Sequence, residues 1–316
     1  TEIYTLSLHD ALPIWLAMSL AARRFSPTAA LNEDWGGVHQ LKALKAASAA
    51  LAGGGGERLA AELATLARQL FASGNLQLAL VAEEAAMEGA RQALDGFYRS
   101  LPAGAQAFEA DLPVAAADPV REGWSTATAV SFVARCFATV RLGHPDAPAL
   151  AVIAKMLRSL YLHREIREKG GAYGGFAVYS IEDGLFSLAS YRDPQIARTL
   201  QVFEGAAEFL LAGNYTDADI HEAVLQVCSE IDKPDPPGPA ARKAFYRRIV
   251  GLDDEARLAF KQGLLSLDRT RVRRAVEAHF GASFRNSAVA VISAEDLLAA
   301  ANAELKTDPL LIQAIG

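Results

Sequence analysis

Leu162-His163-Arg164-Glu165-Ile166-Arg167-Glu168-Lys169-Gly170-Gly171-Ala172-Tyr173-Gly174-Gly175 is the stretch from which the rest of the chain can be read. Upstream of it a helical pattern runs from Asp146, its start marked by Pro145 and Pro148. Downstream, Ala172 to Ser180 and Leu185 to Tyr191 alternate apolar and polar residues. They are joined across Glu182-Asp183-Gly184, which reads as a hairpin. The fourteen residues therefore carry a long helix into a β-hairpin, with Gly170 and Gly171 as C-cap glycines at the corner.

Arg167 falls in the last turn of that helix, where a cation suits the carbonyl end of the dipole. Tyr173 opens the following strand only six residues later. Such a corner can aim a guanidinium and a phenol at one point. Arg offers five donors and keeps its charge, and Tyr adds a neutral O–H. That pair suits a carbonyl that becomes an oxyanion, and the glycines beyond Tyr173 let another backbone approach closely. The residues alone leave a second reading open, in which Arg167 pairs with a neighbouring Glu and Tyr173 simply packs.

Outward from the corner, strands are expected within Trp124–Val140 and over Ser287–Ile292. Asp193-Pro194 and Thr216-Asp217 each start a helix in the N-cap manner. Further helices are expected over about 240–248, 253–265, 268–280 and 294–302. Upstream, Trp15 to Leu51 reads as two helices with a restart at Ser26-Pro27. The tract Gly53–Gly56 is a break before a helix bearing Leu59, Leu63, Leu66 and Leu70. Leu76–Val81 is expected as a short buried strand and Glu84–Tyr98 as a helix. A Pro-, Ala- and Gly-rich loop over 101–121 suggests a domain boundary. Mixed helices and strands with an adjacent hairpin give an α+β fold.

Composition bounds the function. The 316 residues carry 51% hydrophobic and 22% charged residues with a net charge of -6, so a folded acidic protein is expected. Arg and Lys are interleaved with Asp and Glu, which argues against nucleic acid as a partner. No apolar run is long enough to span a membrane. Cys136 and Cys228 are expected as buried free thiols. The opening TEIYTLSLHDALPI does not begin with Met and resembles a translated sequencing adapter, so residues 1–14 are set aside as non-native. Arg23 and Arg24 follow the apolar stretch Ala11–Ala22, whereas a secretory signal needs them in front. With no export signal and no disulfide pattern, a cytoplasmic protein is expected.

The histidines His9, His39, His144, His163, His221 and His279 stand singly, with no His-x-x-Glu-His and no His-Glu-x-x-His, so no metal ligand is assigned in this chain. Gly53–Gly56 lacks the Gly-Lys-Ser/Thr ending of a phosphate loop, and no Gly-x-Ser-x-Gly elbow occurs.

Arg167-Glu168-Lys169-Gly170-Gly171-Ala172-Tyr173-Gly174-Gly175 resembles the C-terminal signature of the presequence-protease branch of the insulinase/pitrilysin (M16-type) metallopeptidases. Ser190-Tyr191-Arg192-Asp193-Pro194 and Thr216-Asp217-Ala218-Asp219-Ile220 are similar to the same family, and Ser26-Pro27 and Trp35-Gly36-Gly37 to its preceding domain. The resemblance covers residues 15–316. It implies two α/β sandwich domains, the first (15–105) incomplete at its N-terminus and the second (106–316) carrying the Arg/Tyr motif. It further implies a protease that closes around short unfolded peptides, with zinc bound by an N-terminal half missing from this sequence. Arg167 and Tyr173 are then the residues expected to hold substrate and assist catalysis. Gly171, Gly174 and His163, one helical turn before Arg167, are expected beside the peptide. By itself the fragment is expected to be inactive. The alternative is a stand-alone, non-catalytic subunit pairing with a zinc-bearing partner chain.

Overall fold

The computed structural model describes residues 8–104 and 120–315. By compactness these residues fall into two units. One holds 8–42, 120–232 and 255–315; the other holds 43–104 and 233–254.

The first unit is built on a six-stranded mixed sheet. In chain order its strands are β1 (Arg121–Ser125), β2 (Ser131–Ala138), β3 (Gly174–Ser180), β4 (Leu185–Asp193), β5 (Ala288–Ser293) and β6 (Leu311–Ala314). In space the order is β3-β4-β2-β5-β1-β6. β1 runs parallel to both its neighbours, and the other pairs are antiparallel. β6 was not expected from the sequence; four residues with a single alternation give almost no periodic signal.

β2, β4 and β5 are buried almost throughout because both faces of the sheet are covered. Along β2, Val133 and Phe137 enter one core while Phe132, Ala134 and Cys136 enter the other. β5 divides in the same way, Val289 and Val291 against Ala290 and Ile292. The larger core is closed by α6 (Ala147–Met156) and its continuation through Glu168, and by α7 (Ile196–Leu211), α8 (Asp217–Ile231) and α11 (Arg269–His279). The short α12 (Ala282–Arg285) adds Phe284, and α13 (Glu295–Leu305) adds Leu298 and Ala301. α8 starts with a capping box: Thr216 Oγ1 accepts from the Asp219 amide, and Asp219 accepts from the Thr216 amide.

The smaller core is closed by α1 (Leu8–Ala22) and the residues after it. Ile14, Ala17, Leu20 and Ala21 lie on the sheet, followed by Ala29 of α2 (Pro27–Gly36) and Val38. Ser26 caps α2 through the Ala29 amide. A charge pair ties the end of α1 to β1: Arg23, just past the helix, shares Nη2 between both oxygens of buried Glu122 at 2.7 and 2.9 Å, and Trp124 Nε1 donates to the same carboxylate.

This packing differs from a division at residue 105. An apolar sheet face must be covered, and residues 8–42 cover it, so the compact units are discontinuous in sequence. The stretch set aside as 1–14 runs into α1, where Ile14 is buried; residues 1–7 lie outside the described residues. So do residues 105–119 of the expected 101–121 loop. Three helices form between residues 8 and 52, because Gly37 separates α2 from α3 (Val38–Ala52).

The second unit is helical among the described residues, with α4 (Gly56–Leu70), α5 (Glu84–Ser100) and α9 (Pro237–Ile249). The strand expected over Leu76–Val81 does not form. A strand needs a neighbour for its N–H and C=O groups, and these residues appear in no ladder, with Leu78 and Val81 exposed. α10 (Asp254–Leu265) leads back to the first unit. Cys136 is a buried free thiol whose pKa burial pushes up to about 12. Cys228, expected buried, is only partly so, because it lies near the end of α8 at the margin of the core.

β3 sits flush against the helix that precedes it. A Cβ at position 175 would stand 3.1 Å from Ile166 Cβ, Ile166 Cδ1 and the Leu162 carbonyl oxygen. Gly175→Ala is expected to cost about 1–3 kcal/mol in urea unfolding through overpacking. Gly36→Ala, where nothing lies within 4 Å, is expected to leave the midpoint unchanged or raise it.

Candidate functional site at the helix–strand corner

Past Met156 the helix widens into π-type turns over Leu157–Glu168, a rare form often found at functional positions. The wider turn changes which side chains meet. His163 Nδ1 lies 3.4 Å from Glu168 Oε1, five residues on, a pair that would stand on different faces of an α-helix. Glu165 accepts from Lys169 Nζ at 2.8 Å and from Arg164 Nε at 2.9 Å. Those bonds, that to Lys169 foremost, hold its carboxyl below the usual carboxylate range.

The chain then reverses sharply. Lys169 N donates to the Arg164 carbonyl, Gly171 takes a left-handed φ of 78°, and Ala172 N donates back to the Ile166 carbonyl. Tyr173 N joins the sheet through the Tyr191 carbonyl at 3.0 Å. The start of α7 braces the corner. Gln195 Nε2 donates to the Gly170 carbonyl at 3.0 Å and Arg198 Nη1 to that of Lys169 at 2.9 Å. Gln195 is itself fixed by buried Asp193, which accepts from the Gln195 amide and from Thr199 Oγ1. Burial pushes the Asp193 pKa up.

On this corner the Arg167 guanidinium carbon lies 5.8 Å from the centroid of the Tyr173 ring. Both residues are exposed, Tyr173 to 46%. Among the described residues Arg167 has no carboxylate partner, since Glu165 is engaged by Lys169 and Arg164 and Glu168 faces His163. The Tyr173 ring stands edge-on to buried Tyr191 at 5.5 Å, and Tyr191 in turn to Phe132 at 5.6 Å. The Tyr173 hydroxyl has no partner among the described residues. The pair thus presents donors to solvent while their stems are fixed from below.

The other expected site residues divide. Gly171 supplies the left-handed turn. Gly174 opens β3, where a Cβ would stand 3.1 Å from Phe176 Cζ. His163 is engaged with Glu168, and no contact joins it to Arg167 or Tyr173 among the described residues. Tyr191, Asp193, Gln195 and Arg198 were not assigned roles from the sequence. Tyr191 and Asp193 had a signal only in the Ser190–Pro194 stretch, and Gln195 and Arg198 had none, because bracing from another element leaves no local pattern.

The folded chain brings together two histidines that are far apart in sequence. His279 Nε2 lies 3.0 Å from Asp146 Oδ2, and the His144 ring lies 6.2 Å from that of His279. His144 Nδ1 already accepts from the Asp146 amide. Among the described residues no three His, Cys, Asp or Glu side chains form a group able to hold a metal ion, so these residues do not fit zinc.

The family model described as the PreP C-terminal domain matches residues 121–287. The chain belongs to that family. A Danio rerio protein named presequence protease, mitochondrial, is 31% identical over 93% of this chain and 30% of its own length. An Eremothecium gossypii protein of the same name is 38% identical over 48% of this chain and 15% of its own. The chain therefore spans less than a third of these relatives. Among solved structures, the M16 peptidase inactive domain from Pseudomonas fluorescens superposes with a TM-score of 0.51 at 15% identity. That match covers 66% of this chain and 50% of the other, a likeness of fold.

If Lys169 sets the Glu165 titration, Lys169→Ala should move its midpoint up toward the ordinary carboxylate range, as read by NMR of the side-chain carboxyl. A depressed pKa contributes stability that is present above the unfolded value and lost as pH falls through the folded one. Lys169→Ala should therefore flatten the acid limb of the stability profile, while an unmoved midpoint would show the bond does not hold in solution.

Proposed function

We propose that this chain is the C-terminal, substrate-binding part of a zinc metalloendopeptidase that degrades short unfolded peptides, and that Arg167 and Tyr173 carry its role. What supports the reading is the pair's state: an exposed guanidinium with no carboxylate partner beside an exposed hydroxyl with no partner, on a corner braced from α7. Membership of the PreP C-terminal domain family supports it from a second side.

In this reading the guanidinium and phenol donate hydrogen bonds to the carbonyl oxygen of a bound peptide and hold it more strongly as negative charge develops there. Neither group needs to ionise. A guanidinium and a phenol are both hydrogen-bond donors, so the donors are ready before the reaction begins. Hydrogen bonds to main chain tolerate many side chains, which fits degradation of varied peptides. In this reading the metal belongs to another part of the protein. The fragment alone is inactive in this reading.

The test is to mix this chain with a separately produced N-terminal part of the same protein and measure cleavage of an unfolded peptide. Arg167→Ala is expected to lower kcat by about 10²–10³, the loss seen when one oxyanion donor is removed. Tyr173→Phe should lower kcat in the same way, leaving the fold intact by circular dichroism. Unchanged kcat in both variants would overturn the assignment.

A further inference from the structure

Arg135 puts a charge in the middle of β2, an inner strand, between Val133 and Phe137 of the larger core. It is only 6% exposed. A guanidinium carries five N–H donors, and burying one without well-made partners is costly. Its Nε donates to Ser287 Oγ at 2.7 Å. The remaining contacts are long: Nη2 to the Phe284 carbonyl at 3.4 Å and Nη1 to Glu204 Oε1 at 3.5 Å. Burial pushes its pKa down. The Phe284 ring, 4.1 Å from the guanidinium carbon, holds it in place.

This guanidinium lines a cavity of about 490 Å³ between α7, α12 and the sheet, a size that suits a small molecule. One charge pair of the wall is complete, Arg121 Nη1 with Asp308 Oδ2 at 3.0 Å. The other charged groups are of both signs. Arg285 and Glu208 line the cavity and are exposed, and among the described residues neither has a partner of opposite charge. Glu204, also exposed, reaches only Arg135, at the limit of a hydrogen bond. Glu204 and Glu208 stand four apart on α7, like charges on one helical face, a mutually unfavourable placement. A cation between them would relieve it. Beyond them the wall turns apolar at Ala207 and exposed Leu211.

We infer that this cavity binds a free amino acid with an apolar side chain. The carboxylate sits on Arg135 with Arg285 at the rim, the ammonium between Glu204 and Glu208, and the side chain toward Leu211. A simple oxyanion entering here would meet two glutamates, and a simple cation two arginines. A molecule with both charges on one carbon matches both signs, because Arg135 and Glu204 themselves stand only 3.5 Å apart. Binding exchanges that one long contact for two charge-assisted pairs. No residue of the helix–strand corner lines the cavity, so the inference stands apart from the peptidase reading.

The test is an NMR titration of the full chain with L-leucine, followed by amide shifts within 204–211 and 284–287. Three probes run beside it: isocaproate, which lacks the ammonium, isoamylamine, which lacks the carboxylate, and inorganic phosphate. Leucine should bind, and each probe should bind about tenfold or more weakly, the change expected when a hydrogen bond between charged groups is lost. Arg135→Lys should weaken leucine several-fold. Because Arg135 also ties Ser287 to the sheet, the exposed Glu208→Gln is the second variant. It should weaken leucine several-fold while leaving isocaproate unchanged or bound more tightly, a split that a merely structural glutamate would not produce. Isocaproate or phosphate binding as tightly as leucine would overturn the inference in favour of a plain anion site. Isoamylamine binding as tightly would overturn it in favour of a cation site. Shifts absent or confined to other elements, or a leucine affinity unmoved by Glu208→Gln, would overturn it outright.

Discussion

The missing side chain at Gly175 is the condition on which the corner depends. β3 approaches the preceding helix until a Cβ there would stand 3.1 Å from Ile166 and from the Leu162 carbonyl, tighter than ordinary packing allows. Gly170 is constrained even more closely, since a Cβ would stand 2.5 Å from the Ile166 carbonyl oxygen. With those two positions bare and Gly171 in the left-handed region, the chain passes from helix to strand in a handful of residues. Arg167 and Tyr173, six apart in sequence, then meet in space. A longer connection would have separated them.

The second condition is electrostatic. Glu165 and Glu168 stand two residues before Arg167 and one after it, spacings at which helical side chains do not face each other. The π-type widening sends Glu168 to His163 and leaves Glu165 to Lys169 and Arg164. Exposed pairs of this kind contribute about 0–1 kcal/mol each, so they do little for stability. Their consequence lies in what they leave over: a guanidinium whose neighbour is an aromatic ring. Beneath it Tyr191 and Phe132 fill the smaller core and fix the Tyr173 ring.

That smaller core explains why the compact units are not continuous in sequence. The apolar stretch of α1 covers a sheet face built from residues more than a hundred positions downstream, and the Arg23–Glu122 pair closes the contact. Breaking a buried pair of this sort by removing one partner costs more than the pair is worth. Helices α4 and α5 pose the opposite case: their apolar spacing is regular, yet neither has a buried residue. Periodicity gives helices their type without saying what they lie against.

Most of the elements around the corner were legible in the sequence because their signals are local. Prolines mark the starts of α6 and α7, although neither helix has a side-chain cap and Gln195 rather than Asp193 stands at the N-cap of α7; Thr216 caps α8, glycines end the long helix, and alternation with Gly184 marks the hairpin. The Arg167–Tyr173 pair was legible for the same reason, being close in sequence and joined by glycines. Strand pairing over Leu76–Val81, the existence of β6, and the covering of the sheet by α1 were not, because each depends on a partner far along the chain. The sequence by itself determined where helix gives way to strand and which donors stand at that junction. Only the tertiary structure decided that Arg167 is left without a carboxylate, that α7 braces the corner, and that β3 lies at an edge, since each follows from contacts that no local pattern encodes.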